Sequence, residues 1–208
     1  MSKAEELLQV YQSLEEAAPH LPLAHTANDI VPGEGSPDAE VMFIGEAPGY
    51  YESVEHRPFV GKSGQLFRQT LNETEITEKD VYISNIVKAR PPDNRDPLPN
   101  EIEAYKPYLN QEIEIIQPLL IATLGRFSMG KFLPDVKVSQ VHGRLHKISW
   151  NKKPLYILPL YHPAAALRAP QVKEAFVADL NKLPKVLTWI KDQHEVNAFK
   201  QEVADALI

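Results

Sequence analysis

The chain has 208 residues, of which 24% are charged and 43% hydrophobic, and its formal net charge is -6. That length suits one α/β domain with a real core, and no apolar run nears the ~18 residues of a membrane span. There is no cysteine, which excludes disulfides and thiolate metal sites; without a basic-then-apolar leader at the N-terminus, the cytoplasm is the expected location.

Ser2-Lys3-Ala4-Glu5 reads as a capping box, after which Leu7, Val10, Tyr11 and Leu14 recur at helical spacing. Prolines and glycines from Pro19 to Pro37 mark an irregular crossing segment. Val41-Met42-Phe43-Ile44, ending at Gly45, reads as a buried strand. A helix is expected around 65–71 and a second strand over 81–87. Ile102, Tyr105, Leu109, Ile113 and Ile116 give a further helix, which Pro107 kinks or splits. Third and fourth strands are expected over 119–124 and 155–160. Pro159 has no amide donor, so the fourth belongs at a sheet edge. Val172, Phe176, Val177, Leu180 and Leu183 form a closing helix interrupted near Pro184, and 193–208 is an extra helix or a tail. The expected fold is therefore α/β: a three-layer α/β/α arrangement around a central four-stranded, mainly parallel sheet, in a single domain over 1–208.

In such sheets ligands bind beyond the carboxyl ends of the strands. Those ends hold Gly45-Glu46-Ala47-Pro48-Gly49, Asn85 with Lys88 and Arg90, Gly125-Arg126, and His162-Pro163-Ala164-Ala165-Ala166. A carboxylate, an amide and an imidazole thus meet on one rim. Each alone has an ordinary reading: His162 as a structural histidine, Asn85 as a strand-end cap, Glu52 as a solvated loop acid. Gly61-Lys62-Ser63-Gly64 is half of a nucleotide-binding loop, but His56 stands where the first glycine is needed, which rejects NTP. Its small residues still suit a helix start whose amides hold a phosphate. His142 and His146 are four apart, yet Gly143 and the Val141/Leu145 pattern favour loop or strand, and no third ligand is evident, so no metal site is expected. Residues 136–169 contain no acid but hold Lys137, Arg144, Lys147, Lys152, Lys153 and Arg168. They form a basic face for a polyanion or merely a solvated surface.

The motifs together carry more. Val31-Pro32-Gly33-Glu34-Gly35, Gly45-Glu46-Ala47-Pro48-Gly49, Arg57-Pro58-Phe59-Val60-Gly61, Tyr82-Ile83-Ser84-Asn85-Ile86-Val87-Lys88, Arg90-Pro91-Pro92 with Asn94-Arg95-Asp96-Pro97, and Tyr161-His162-Pro163-Ala164-Ala165-Ala166 follow in order. In this the chain resembles the type-4 uracil-DNA glycosylases of bacteria and archaea, from about Pro22 to Leu187. One departure is large. Members of that family hold a four-iron–four-sulfur cluster on four cysteines, and the matching places here are Ala18, Leu21, Ala89 and Tyr105. The resemblance therefore implies the chemistry without the cluster, and no cofactor is expected.

The resemblance further implies a monofunctional glycosylase acting on uracil-containing DNA, single- or double-stranded, as a monomer with no membrane partner. A flipped uracil would stack on Phe59 and pair with the Asn85 amide, with Gly45, Ala47 and Gly49 around it. His162 would donate to uracil O2 as negative charge develops there. Glu46, favoured over Glu52, would steady the sugar cation and orient water. Ala47 stands where other members of the superfamily have an aspartate, and Gly49 where some have a bulky aromatic that blocks the thymine methyl. Lys62, Ser63, Gly64, Lys88, Arg90 and Arg144 are expected against the DNA backbone, with Ala166, Leu167 and Arg168 entering the duplex. Two other readings stay open: a uracil-DNA sensor with weak turnover, and a glycosylase of the same fold acting on another damaged base.

Overall fold

The computed structural model describes residues 1–206. Its six strands are β1 (Glu34–Gly35), β2 (Val41–Gly45), β3 (Val81–Asn85), β4 (Leu120–Leu124), β5 (His146–Trp150) and β6 (Lys153–Leu160). They lie side by side in the order β1-β3-β2-β4-β6-β5. The four strands expected from the apolar runs are the parallel centre, and β1 and β5 add antiparallel edges. The helices are α1 (Lys3–Ala17), α2 (Tyr50–Glu55), α3 (Lys62–Asn72), α4 (Pro99–Ile116), α5 (Arg126–Phe132), α6 (Val138–Val141), α7 (Pro163–Ala166), α8 (Pro170–Leu180) and α9 (Leu183–Ala206). Among the described residues no helix is long and apolar enough to cross a membrane.

The layers follow from the two-residue period of the strands. Met42, Ile44, Ile121, Leu155 and Ile157 face one way and pack with Leu7 and Leu14 of α1 and Leu109 and Ile113 of α4. Val41, Phe43, Ala122, Leu124, Leu158 and Leu160 face the other way, onto Phe67 of α3, Phe176 of α8 and Ile190 of α9. Helices on both faces make the three-layer α/β/α fold. The Ser2 capping box starts α1 as its sequence indicates.

Three expectations need correction. Strand β6 is not at an edge, since β5 covers it. Pro159 is tolerated because β5 begins only opposite Ile157; beyond that point the Pro159 carbonyl accepts from the Gly143 amide at 2.8 Å. A residue's N and O point to the same side of a strand, so the missing donor faces a stretch with no ladder to break. Pro107 does not split α4, which runs on through it. Both Pro107 and Glu103, whose carbonyl loses its donor, lie on the exposed face of the helix, where an unpaired carbonyl costs little. The C-terminal residues from 193 are no separate helix, because α9 continues through them to Ala206; residues 207–208 of that expectation lie outside the described residues.

Candidate active site

Register places the rim. Gly45 pairs with Asn85 across β2 and β3, and Leu124 pairs with Leu160 across β4 and β6. The residues that leave these strands therefore emerge together. They surround a cavity of about 550 Å³ lined by Glu46, Ala47, Gly49, Glu52, Phe59, Ser63, Asn85, His162 and Arg168 among others.

Asn85 is the buried floor, and its Oδ1 has no hydrogen-bond partner among the described residues. An unpaired buried acceptor costs about 1–3 kcal/mol, so a ligand N–H there is favoured. Gly45 makes room: a Cβ at that position would run into Asn85 Oδ1 and the Phe59 ring. Phe59 stands over the floor with φ of 56°, a conformation non-glycine residues seldom adopt and one that surroundings must enforce. The Arg68 Nε donates to its carbonyl at 2.9 Å, and Gly64 presses against its backbone. The ring contacts Phe67 at 5.3 Å and faces His162 at 6.1 Å between centroids.

His162 caps α7, and its Nδ1 accepts from the Ala164 amide at 3.1 Å. An accepting Nδ1 leaves the proton of the neutral ring on Nε2. Burial, with Arg168 adding to it and Glu52 opposing, pushes its pKa down to about 4. The ring is thus a neutral Nε2–H donor. Gly125, at φ 95°, leaves this side chain its room: a Cβ there would lie 3.0 Å from the His162 Cβ and 3.3 Å from its Cδ2.

The two carboxylates differ. Glu52 accepts from the amides of Gly49 (3.1 Å), Val60 (2.9 Å) and Gly61 (2.7 Å), and so pins α2 to the Phe59 loop. A Cβ on Gly49 would sit 2.8 Å from the Glu52 Oε2, which accounts for a glycine there. Glu46 makes no side-chain hydrogen bond among the described residues. Burial raises its pKa to about 7, with Asp96 adding and Arg126 opposing. Asp96 and Arg126, which pair with each other, line the cavity beside it. Their motifs were visible in the sequence, but not their effect on Glu46. Tyr161 is a further lining residue that the sequence reading left without a role.

The profile described as the Uracil DNA glycosylase superfamily matches residues 32–183. The chain belongs to that superfamily, with the type-4 enzymes. It is 44% identical over 159 residues to a type-4 uracil-DNA glycosylase of Sulfurisphaera tokodaii, covering 74% of this chain and 72% of that one. It is 37% identical over 186 residues to one of Thermotoga maritima, covering 88% and 95%, and 39% identical over 168 residues to one of Archaeoglobus fulgidus, covering 77% and 83%.

Within this uracil-DNA glycosylase fold, three residues expected against DNA, Lys88, Ala166 and Gly64, are buried. Lys88 is 0% exposed, and its Nζ donates to both Glu112 carboxylate oxygens at 2.8 and 2.7 Å and to the Ser84 hydroxyl. It cannot reach a phosphate. Burial lowers its pKa and Glu112 opposes that. Ala166 is packed in the core and cannot enter a duplex, whereas Leu167 beside it is 50% exposed. Gly64 is buried against Phe59. Lys62, Arg90 and Arg144 lie outside the cavity lining. The basic run also fails to form one face: Lys152 and Lys153 sit at the β5–β6 turn, at the end of the sheet away from the rim. Of the two spaced histidines, His142 bonds Asp179 through Nδ1 at 2.6 Å, and His146 opens β5.

The residues at the cluster positions do not fit an iron–sulfur group, since none supplies sulfur. Ala18, Ala89 and Tyr105 are buried in one apolar cluster with Leu21 against it, and the Tyr105 hydroxyl donates to the Pro22 carbonyl at 2.6 Å.

Proposed function

We propose that this chain is a uracil-DNA glycosylase, hydrolysing the bond between uracil and deoxyribose to leave an abasic site that starts base excision repair. The observation that carries the reading is the orphaned, buried Asn85 Oδ1 beside the Phe59 ring, on a residue that lines one cavity with His162. Uracil offers N3–H beside O4. The Asn85 amide accepts from the first through Oδ1 and donates to the second through Nδ2, and cytosine reverses both. Phe59 stacks on the flipped ring.

As the C1′–N1 bond breaks, its electron pair moves onto uracil, and the His162 Nε2–H donates to O2 where charge gathers. Glu46 in its ionised form steadies the sugar cation and orients a water, whose oxygen bonds C1′ and whose proton leaves through the carboxylate. Glu52, already accepting from three amides, holds the walls in place. Leu167 fills the gap left by the flipped base in duplex DNA, with Arg168, Ser63 and Lys62 near the backbone. The reading includes attack by water rather than by an amine, and so a monofunctional enzyme; it is supported by a cavity lining that holds Glu46 and Glu52 but no lysine. The reading extends to one domain over 1–208 working as a monomer in a prokaryotic cytoplasm.

The test is release of free uracil from a uracil oligonucleotide in chelator, with strand breakage only after alkali. Binding without release would point to a sensor instead. Release of a different base from a damaged-base panel, with uracil untouched, would replace the substrate.

A further inference from the structure

Helix α2 opens on two tyrosines that the proposed chemistry does not use. Tyr50 is 55% and Tyr51 56% exposed, and their rings meet edge to face with centroids 5.4 Å apart. They join neither core. Their position is nonetheless fixed, because Gly49 before them and Glu52 after them line the cavity, and Glu52 ties this turn to residues 60–61.

One cation lies over the pair and a second is close by in the chain. The Arg90 guanidinium lies 5.2 Å from the Tyr50 ring centroid, and its Nε donates at 2.8 Å to the Oδ1 of Asn94, a cavity residue. Tyr51 borders Gly61, where a Cβ would lie 3.6 Å from the Tyr51 Cδ2; the next residue is the exposed Lys62. Among the described residues neither Arg90 nor Lys62 has a carboxylate partner. Two exposed rings next to cavity residues, with one cation on a ring and another one residue beyond the second ring's neighbour, match how single strands are held, with bases on aromatic faces and phosphates on nearby charges. Two rings alone would equally suit a protein partner; the cations and the continuity with the cavity favour a nucleic-acid strand.

We propose that the base next to uracil on the same strand leaves its stack and lies against Tyr50 and Tyr51, its phosphates at Arg90 and Lys62. The proposal rests on the uracil-DNA reading above. A paired base is not free to make this contact, so the platform gives a preference for single-stranded over duplex substrate.

The experiment compares the wild type with the double variants Tyr50→Ala/Tyr51→Ala and Tyr50→Phe/Tyr51→Phe on single-stranded and duplex uracil oligonucleotides. The alanine pair should raise KM on the single strand by about 10-fold or more, as deletion of stacked aromatics does, with kcat nearly unchanged and a smaller effect on duplex. The phenylalanine pair should behave as wild type, since stacking needs the ring and not the hydroxyl. A 2-aminopurine beside the uracil should be quenched on binding by the wild type and the phenylalanine pair but not by the alanine pair. An unchanged KM and unchanged quenching in the alanine pair overturns the platform while leaving the glycosylase reading intact. Equal loss on both substrates overturns the strand preference. A wild type that releases no uracil sinks the function, and the quenching comparison then still decides the platform.

Discussion

Donor and acceptor placement, rather than charge, is what Asn85 and His162 bring to the cavity. Asn85→Ala and His162→Ala should each lower turnover about 10²–10³-fold, the usual loss when a recognition or developing-charge contact is removed. Asn85→Asp is sharper, because an ionised carboxylate only accepts. It should erode the preference for uracil over cytosine in a competition assay, and an unchanged preference would remove Asn85 from recognition. On the proposed mechanism, Glu46 sets the pH response. Its raised pKa, about 7, means the ionised form needed for catalysis is lost as pH falls through that value. His162, at about 4, stays neutral over the same range and contributes no limb there. The wild-type rate should therefore drop below about pH 7, while Glu46→Gln should be slower and flat between about pH 5 and 8. A limb near 7 that survives in Glu46→Gln would assign it elsewhere. The same shift makes ionised Glu46 a burden on the fold above pH 7 and none below its unfolded value. Glu46→Gln should accordingly raise the melting temperature at pH 8 but not at pH 4.

Whether an element could be read depended on how completely it is buried. Strands β2, β3, β4 and β6 are apolar runs because helices cover both faces, and the residues at their carboxyl ends line the cavity. Strand β1 has two residues, too few for a pattern, and the β5 stretch His146-Lys147-Ile148-Ser149-Trp150 alternates half-buried and exposed in a way a loop also could. Its presence turned the Pro159 argument around, since a proline reports only that one amide is unneeded. Lys88 misled for a different reason. Lysine is seldom buried, and its partner Glu112 lies on α4, 24 residues away, a pairing no local pattern carries. Lys88→Met should strand the buried Glu112 carboxylate and destabilise by about 3–5 kcal/mol in urea unfolding, with Lys88→Met/Glu112→Leu recovering much of the loss. The salt dependence of DNA binding should not change in either variant. A slope reduced by one phosphate contact would restore Lys88 to the DNA.

On the scale of the whole molecule, the chain must hold its N-terminal segment, the stretch after β3 and α4 together without a cluster. The motifs announced the substitution but not its geometry, because which side chain fills a space depends on packing across elements far apart in sequence. Tyr105 sits on the α4 stripe with Ile102 and Leu109, and that spacing alone would be satisfied by a tyrosine facing the sheet. Instead its hydroxyl reaches the Pro22 carbonyl while the ring shares a core cluster with Ala18, Leu21 and Ala89. Burial, with Asp29 and Glu101 adding, drives the hydroxyl pKa upward, so it stays a donor at any working pH. A second tie runs alongside: the Tyr11 hydroxyl of α1 donates to Glu112 of α4 and accepts from the Gly33 amide at 2.7 Å. Truncating the ring should open a void that these rigid neighbours cannot close, and Tyr105→Ala should cost about 3–5 kcal/mol. Tyr105→Phe keeps the volume and loses one hydrogen bond, so it should cost only about 1 kcal/mol. Because Glu46, Asn85 and His162 stand at the carboxyl rim and none contacts Tyr105, uracil release by either variant should match the wild type below its melting temperature. Equal stability of the alanine and phenylalanine variants would show that the ring does not carry the joint. Activity lost by Tyr105→Ala while still folded would show that this packing also sets the geometry of the rim.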